Sequence, residues 1–303
     1  MKSIKILTLG NSYSNDAYEW LYPILKSAGY TDVVLGHALN GGCNINNHWS
    51  NVDEDTENDY GAVYGESVNG ARAPEIKSEA MTLRDIYIHA IQKHEWDYVV
   101  IQHGPNHVEK RETYSHLRDL LDFIKAHLKS DRTKFLYHMI WKYNDNVNGG
   151  STAQFYDEIL DITRNLVLCE PEFVGVIPSV TMRQNMMSSY LTDKDISRDY
   201  GHMSLGLGRY ALGLLWYAYI TGGSIEDVKY IPSLEDVRPV LLEKYSFDGV
   251  RAEYLPIVKE AIENALKSPY AITPSRYTGV TAEFEDGGNI AERIAAVGGE
   301  QIE

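Results

Sequence analysis

The chain has 303 residues, 44% of them apolar, and 43 acidic against 28 basic side chains leave a formal charge of −15. A charge of that sign repels nucleic-acid phosphates and anionic lipid, so neutral substrates are expected, with no nucleic-acid and no membrane partner. Cys43 and Cys169 are too few for a disulfide framework and too far apart for a zinc knuckle, and both are expected as free thiols.

In chain order, the apolar run at residues 4–9 predicts a first strand, followed by Gly10-Asn11-Ser12-Tyr13-Ser14 and a helix over about 16–28. Further strands are predicted at 32–38, 97–102, 134–140 and 173–177, separated by helical patterns at 83–94, 114–128 and 153–168. Runs such as Tyr98-Val99-Val100-Ile101 mark strands buried on both faces, the pattern of a parallel sheet between helices. The expected fold is therefore α/β, a three-layer α/β/α sandwich with a five-stranded parallel sheet. The most apolar helix, 205–220, carries Arg209 and falls short of the ~20 residues that a membrane crossing needs, so it reads as a core helix.

Between residues 44 and 79 the periodicity lapses into Asn, Asp, Gly and Tyr, which is read as a flap beside the site or a cover for a sheet edge. Residues 1–223 are taken as the main domain. Residues 224–303 are taken as a helical extension, with helices near 234–243 and 251–266. From Pro269 a weakly patterned tail with Gly287-Gly288 and Gly298-Gly299 is expected to pack on the main domain or on a second subunit. Lys2 and Lys5 flank residues that already belong to the first strand, so no signal peptide is read and a cytoplasmic location is expected.

Ser12 would sit at the carboxyl end of the first strand, close to a helix N-terminus, where open α/β sheets place chemistry and where anionic intermediates are favoured. Far downstream, Asp199-Tyr200-Gly201-His202 supplies a carboxylate and an imidazole three residues apart, the partners a serine needs to become a nucleophile. Each piece alone has an ordinary reading: Ser14, Asn15 and Asp16 compete as helix caps, and Asp199 could cap the helix that follows. His103 and His107 have a metal-like spacing, but Gly104 and Pro105 between them oppose helical presentation, and no metal or cofactor is expected. His37, His48 and His138, with Trp141 and Tyr143, could line a pocket from neighbouring strand ends or simply pack. The 22 tyrosines against 6 phenylalanines put many amphipathic rings where a sugar could use them.

Gly10-Asn11-Ser12, a glycine after the second strand, Gly104-Pro105-Asn106 after the third and Asp199-x-x-His202 together resemble the SGNH, or GDSL-type, hydrolase superfamily over about residues 4–222. Stretches such as Trp96-Asp97-Tyr98-Val99-Val100-Ile101-Gln102, and His202-Met203-Ser204 followed by Gly208-Arg209-Tyr210, are similar to a bacterial branch of uncharacterised function. The resemblance implies a flavodoxin-like sheet order, Ser12 as nucleophile, His202 as general base and Asp199 as its orienting carboxylate. It also implies an oxyanion hole from the backbone N–H groups of Ser12 and Gly42 and the side-chain amide of Asn106. Gly41 and Gly42 compete for one role, and Gln102 is the reserve for Asn106. Asn11 stands where many members carry Asp, and the third motif ends Asn106-His107 instead of Asn-Asp. Asn11, Gln102 and Trp141 are assigned to substrate contact. The implied activity is an esterase removing a small acyl group, acetyl foremost, from a carbohydrate or related polyol. The alternatives are acyl transfer, lipase or thioesterase chemistry, or a non-catalytic glycan-binding module.

Overall fold

The computed structural model describes residues 1–53, 62–77, 81–143, 155–199 and 201–278. Parts of the expected flap (54–61 and 78–79), the start of the helix expected over 153–168, Tyr200, and the tail from residue 279 with its two Gly-Gly pairs lie outside the described residues.

Among the described residues eight strands form one sheet: β1 (Lys2–Gly10), β2 (Tyr30–Leu39), β3 (Val63–Val68), β4 (Ala71–Arg72), β5 (Ile76–Lys77), β6 (Tyr98–Gln102), β7 (Lys134–His138) and β8 (Phe173–Ile177). Their order is β4-β3-β2-β1-β6-β7-β8, with β5 also paired to β3. The five strands expected from their apolar runs are the parallel part, β2-β1-β6-β7-β8. The expectation of a five-stranded, wholly parallel sheet is corrected: β3, β4 and β5 extend it with antiparallel pairing along β2. In β1 the successive residues Ile6, Leu7, Thr8 and Leu9 are all buried, so helices cover both faces.

The added strands come from the segment read as an irregular flap. Asn69 and Gly70, with φ of 50° and 86°, form the tight turn between β3 and β4, where two left-handed residues match the twist of a hairpin. Ahead of it, Ile45–Asp53 is a helix that buries Ile45, His48, Asn51 and Val52.

On one side of the sheet the helices Ile45–Asp53, Leu83–Gln92 and Leu117–His127 pack on one another. On the other, Ser12–Tyr18 and Leu21–Ser27 pack on Leu207–Thr221, which in turn meets Ser179–Met187 and Leu255–Lys267. The helix expected over 16–28 is thus two short helices, broken around Trp20, and the first begins at Ser12. In the extension, Pro239 starts a separate turn, so the helix expected over 234–243 is a 3-10 turn, Leu234–Asp236, followed by Pro239–Leu242. Farther on, Leu255–Lys267 lies against Ser179–Met187, and the Asn185 amide ties the two by donating to the Ala261 carbonyl at 3.2 Å and accepting from the Thr273 N–H at 2.8 Å. Among the described residues no helix is long and apolar enough to cross a membrane.

Candidate active site

The five parallel strands run in the order 2-1-3-4-5 when numbered among themselves, which puts a topological switch point at β1, where crossovers diverge and a crevice opens at the carboxyl ends. Ser12 lies there. β1 ends at Gly10, Asn11 caps the next helix by accepting the Tyr13 N–H at 3.1 Å, and Ser12 is the first helical residue. A first-turn N–H has no intrahelical acceptor, so that of Ser12 is open to a ligand. Within Ser12–Tyr18 every residue is buried except Ser12 and Asn15, which share one face.

The Ser12 Oγ is 2.7 Å from His202 Nε2, although 190 residues separate them in the chain. His202 Nδ1 lies 3.0 and 3.1 Å from the two Asp199 oxygens, and Asp199 Oδ1 also accepts the backbone N–H groups of Gly201 and His202 at 2.9 and 2.8 Å. Partial burial pushes the Asp199 carboxyl up, but the hydrogen bonds from the His202 ring and from the two backbone N–H groups outweigh it and hold the group well below the usual carboxylate range. An ionised carboxylate can only accept. The neutral imidazole therefore carries its hydrogen on Nδ1 and leaves Nε2 as the acceptor for the serine hydroxyl.

The loops expected to hold oxyanion donors flank this serine. Asn11 Nδ2 donates to the Cys43 carbonyl at 3.2 Å and to the His103 carbonyl at 3.1 Å, drawing the ends of β2 and β6 to the end of β1. Gly42 lies in the first of these loops, exposed, with a φ of 66° that only glycine adopts without cost. Asn106 lies in the second, also exposed, its carbonyl accepting from Lys142 at 3.1 Å. The Tyr143 N–H donates to the Pro105 carbonyl at 3.0 Å, and the Tyr143 ring stands edge-on to His202 at 6.0 Å, so the Asn106 loop is tied to the side of the imidazole.

Three assignments are corrected. Asn11, Gln102 and Trp141 are buried and spent on the protein itself, not turned toward a substrate. Asn11 is the hub just described, and it also accepts from Gln102 Nε2. The Gln102 carbonyl oxygen accepts the Ser14 hydroxyl at 2.8 Å and His138 Nδ1 at 2.9 Å, so its amide is not free to face an oxyanion. Trp141 donates its indole N–H to the Gly201 carbonyl at 2.7 Å and packs on Tyr13, steadying the loop that carries His202. His138 and His48 are likewise interior, paired with Ser179 and Tyr87, and His103 stacks on Tyr114 at 4.0 Å, away from the exposed His107. Of the expected pocket-lining histidines, His37 borders a cavity.

One group with a part in the site was read in the sequence only as a competing helix cap. Asp16, fully buried one turn after Ser12, accepts the Met203 N–H at 2.8 Å and pairs with Arg198 at 2.9 Å and Arg209 at 2.8 Å. Arg198 in turn donates to the Met203 carbonyl at 2.6 Å and lies 3.8 Å from Asp199. The helix that presents the serine thus also grips the loop that presents the imidazole. The signal was Arg209, a lone base set in an otherwise apolar helix, where a buried charge needs a partner.

The family model for DUF4886, described as a domain of unknown function, matches residues 5–246. The chain belongs to the DUF4886 family. A DUF4886 family protein from Bacteroides uniformis ATCC 8492, solved by crystallography, is 23% identical over 90% of this chain and 98% of its own, with a TM-score of 0.74, and has the same fold. A protein from Slackia heliotrinireducens, provisionally described as an SGNH hydrolase, aligns with 72% of this chain and 100% of its own at 13% identity and a TM-score of 0.46. No curated protein matches this DUF4886 member.

Proposed function

We propose that this DUF4886 protein is a serine hydrolase of the SGNH type, an esterase that removes a small acyl group, acetyl foremost, from a carbohydrate or related polyol. One observation carries the reading: the relay from Ser12 Oγ to His202 Nε2 at 2.7 Å and from His202 Nδ1 to Asp199 at 3.0 Å. In the proposed mechanism Ser12 Oγ attacks the ester carbonyl carbon while its proton passes to His202 Nε2, and Asp199 stays ionised and stabilises the imidazolium. The negative charge that forms on the carbonyl oxygen is met by the N–H groups of Ser12 and Gly42 and by the Asn106 amide, each worth ~3 kcal/mol in the transition state. His202 then protonates the leaving alkoxide as the C–O bond breaks, and a water activated by the same imidazole hydrolyses the acyl-serine. The acetyl and carbohydrate parts rest on the resemblance to deacetylating members of the superfamily, and the net charge of −15 favours a neutral substrate.

The test is covalent labelling with a fluorophosphonate alongside hydrolysis of phenyl acetate. The native chain is expected to be labelled on Ser12 and to turn over the ester, and Ser12→Ala to lose the label and at least ~10⁴-fold in kcat. Absence of labelling of the folded native chain would overturn the reading.

A further inference from the structure

A cavity of about 280 Å³ lies between the paired helices Ser12–Tyr18 and Leu21–Ser27, strand β2 and the β3–β4 hairpin. Ser12 does not line it, but Asn15 does, and Asn15 shares the open face of the helix with Ser12, with Cβ atoms about 5–6 Å apart. The cavity therefore comes within one helical turn of the serine.

Its charges are mixed and mostly matched. Glu19 accepts two hydrogen bonds from Arg238 at 2.8 and 3.0 Å, Asp236 accepts the Ser233 N–H at 2.8 Å, and Glu66 is held by the Tyr64 hydroxyl and by His94. Arg72 is held most loosely: its side chain is 47% exposed, and among the described residues its nearest carboxylate oxygen, on Glu19, is 3.7 Å away, an ion pair beyond hydrogen-bonding distance. Among the described residues the His37 ring and the Asn15 amide also make no hydrogen bond. Burial, helped by Arg72 and Arg238, pushes the His37 imidazole down to about 4, so it presents one donor and one acceptor. An anion entering here would meet four carboxylates, including that of Glu75, against two guanidiniums, and a cation would meet the guanidiniums. Hydroxyl groups both donate and accept and suit the mixture, while Trp20 and Tyr230 supply apolar ring faces. The volume lies just below the roughly 300–1,000 Å³ of small-molecule sites, room for one ring.

We infer that this cavity is the subsite for the alcohol part of the ester, a neutral polyol the size of one sugar ring, bound by Arg72, His37 and Asn15. The assignment rests on the hydrolase reading for which end of the ligand approaches Ser12. The test compares kcat/KM on a panel of monoacetylated methyl glycosides with kcat/KM on phenyl acetate, in the native chain, in Arg72→Ala and in Ala73→Trp, which fills the cavity without changing charge. Glu19 keeps Arg209 and Arg238 when Arg72 is removed, so the fold should survive. The ratio for the best glycoside is expected to fall at least tenfold in both variants; a ratio within twofold of native in both would overturn the subsite. If the native chain hydrolyses neither ester, the hydrolase reading fails by itself, and the cavity is judged by calorimetric binding of the glycosides to Ser12→Ala with and without Arg72→Ala. A tenfold loss of affinity then supports it, and equal affinity or no binding overturns it.

Discussion

At the scale of single residues, two amides that sequence places at one strand end do different work. Gln102 is buried, and its removal strands the Ser14 hydroxyl and His138 Nδ1, each a buried group that costs ~1–3 kcal/mol when unsatisfied, and leaves the Asn11 side-chain oxygen with the Tyr13 N–H alone. Gln102→Ala is therefore expected to lose ~2–4 kcal/mol of stability in denaturant unfolding, and an unchanged unfolding midpoint would contradict the hub. Asn106 is exposed, and among the described residues its side chain makes no hydrogen bond, so in the proposed mechanism Asn106→Ala should lower kcat ~100-fold with KM and thermal stability nearly native. A kcat within threefold of native would remove Asn106 from the oxyanion hole. Asp199 bears on the pH profile: its folded-state pKa is depressed, so its contribution is present above the unfolded value of about 3.9 and lost only as pH falls through the lower folded one. Loss of activity above pH 4 must then come from a group other than this carboxylate.

At the scale of elements, the helix Ser12–Tyr18 couples the two halves of the site. Its first residue carries the hydroxyl, and Asp16, one turn on, is bonded to the backbone beside His202 and to two arginines. Asp16→Asn keeps the shape and an acceptor for the Met203 N–H but leaves Arg198 and Arg209 short of a buried countercharge, a change that typically costs ~3–5 kcal/mol. The expected result is a loss of ~3 kcal/mol or more in chemical unfolding together with slower fluorophosphonate labelling; a loss below ~1 kcal/mol would show that the pairing does not hold the loop. The elements also show what could be read in advance. The five parallel strands were legible because strands buried on both faces must be continuous apolar runs, and the meeting of Ser12, His202 and Asp199, whose catalytic role is proposed here, was expected from their motifs. The helix Ser179–Met187 was missed because it is buried nearly all round while carrying Arg183, Gln184 and Asn185, which leaves no apolar stripe to detect. The β3–β4 hairpin was marked by Asn69-Gly70, but its strands have too little apolar alternation to stand out from a loop. Asn11, Gln102 and Trp141 were misassigned for a plainer reason: a polar side chain at a strand end has the same letter whether it meets a substrate or the neighbouring loop.

At the scale of the whole molecule, stability should depend on pH through the interior histidines more than through the surface. His48, His103 and His138 are fully buried, and burial pushes them down to about 3, 4 and 3. Their hydrogen-bond partners are the Tyr87 hydroxyl for His48, the Gly104 carbonyl and Thr113 for His103, and Gln102 with Ser179 for His138, none of them a carboxylate that could balance a proton. In the unfolded chain each would titrate near 6.5. Because the folded values lie below the unfolded one, the unfolded state binds more protons between pH 6.5 and about 3–4, and stability falls as pH drops through that window. Each histidine costs up to ~1.4 kcal/mol per pH unit below 6.5, so three together cost ~6 kcal/mol by pH 5, comparable with the ~5–15 kcal/mol of a whole domain. The thermal midpoint is therefore expected to be flat above about pH 7, to fall steeply below 6.5, and to reach room temperature near pH 4–5, before most carboxylates are protonated. Calorimetric scans across pH 8 to 4 measure this directly, and equal midpoints at pH 7 and pH 5 would mean that these imidazoles do not stay neutral in the folded interior.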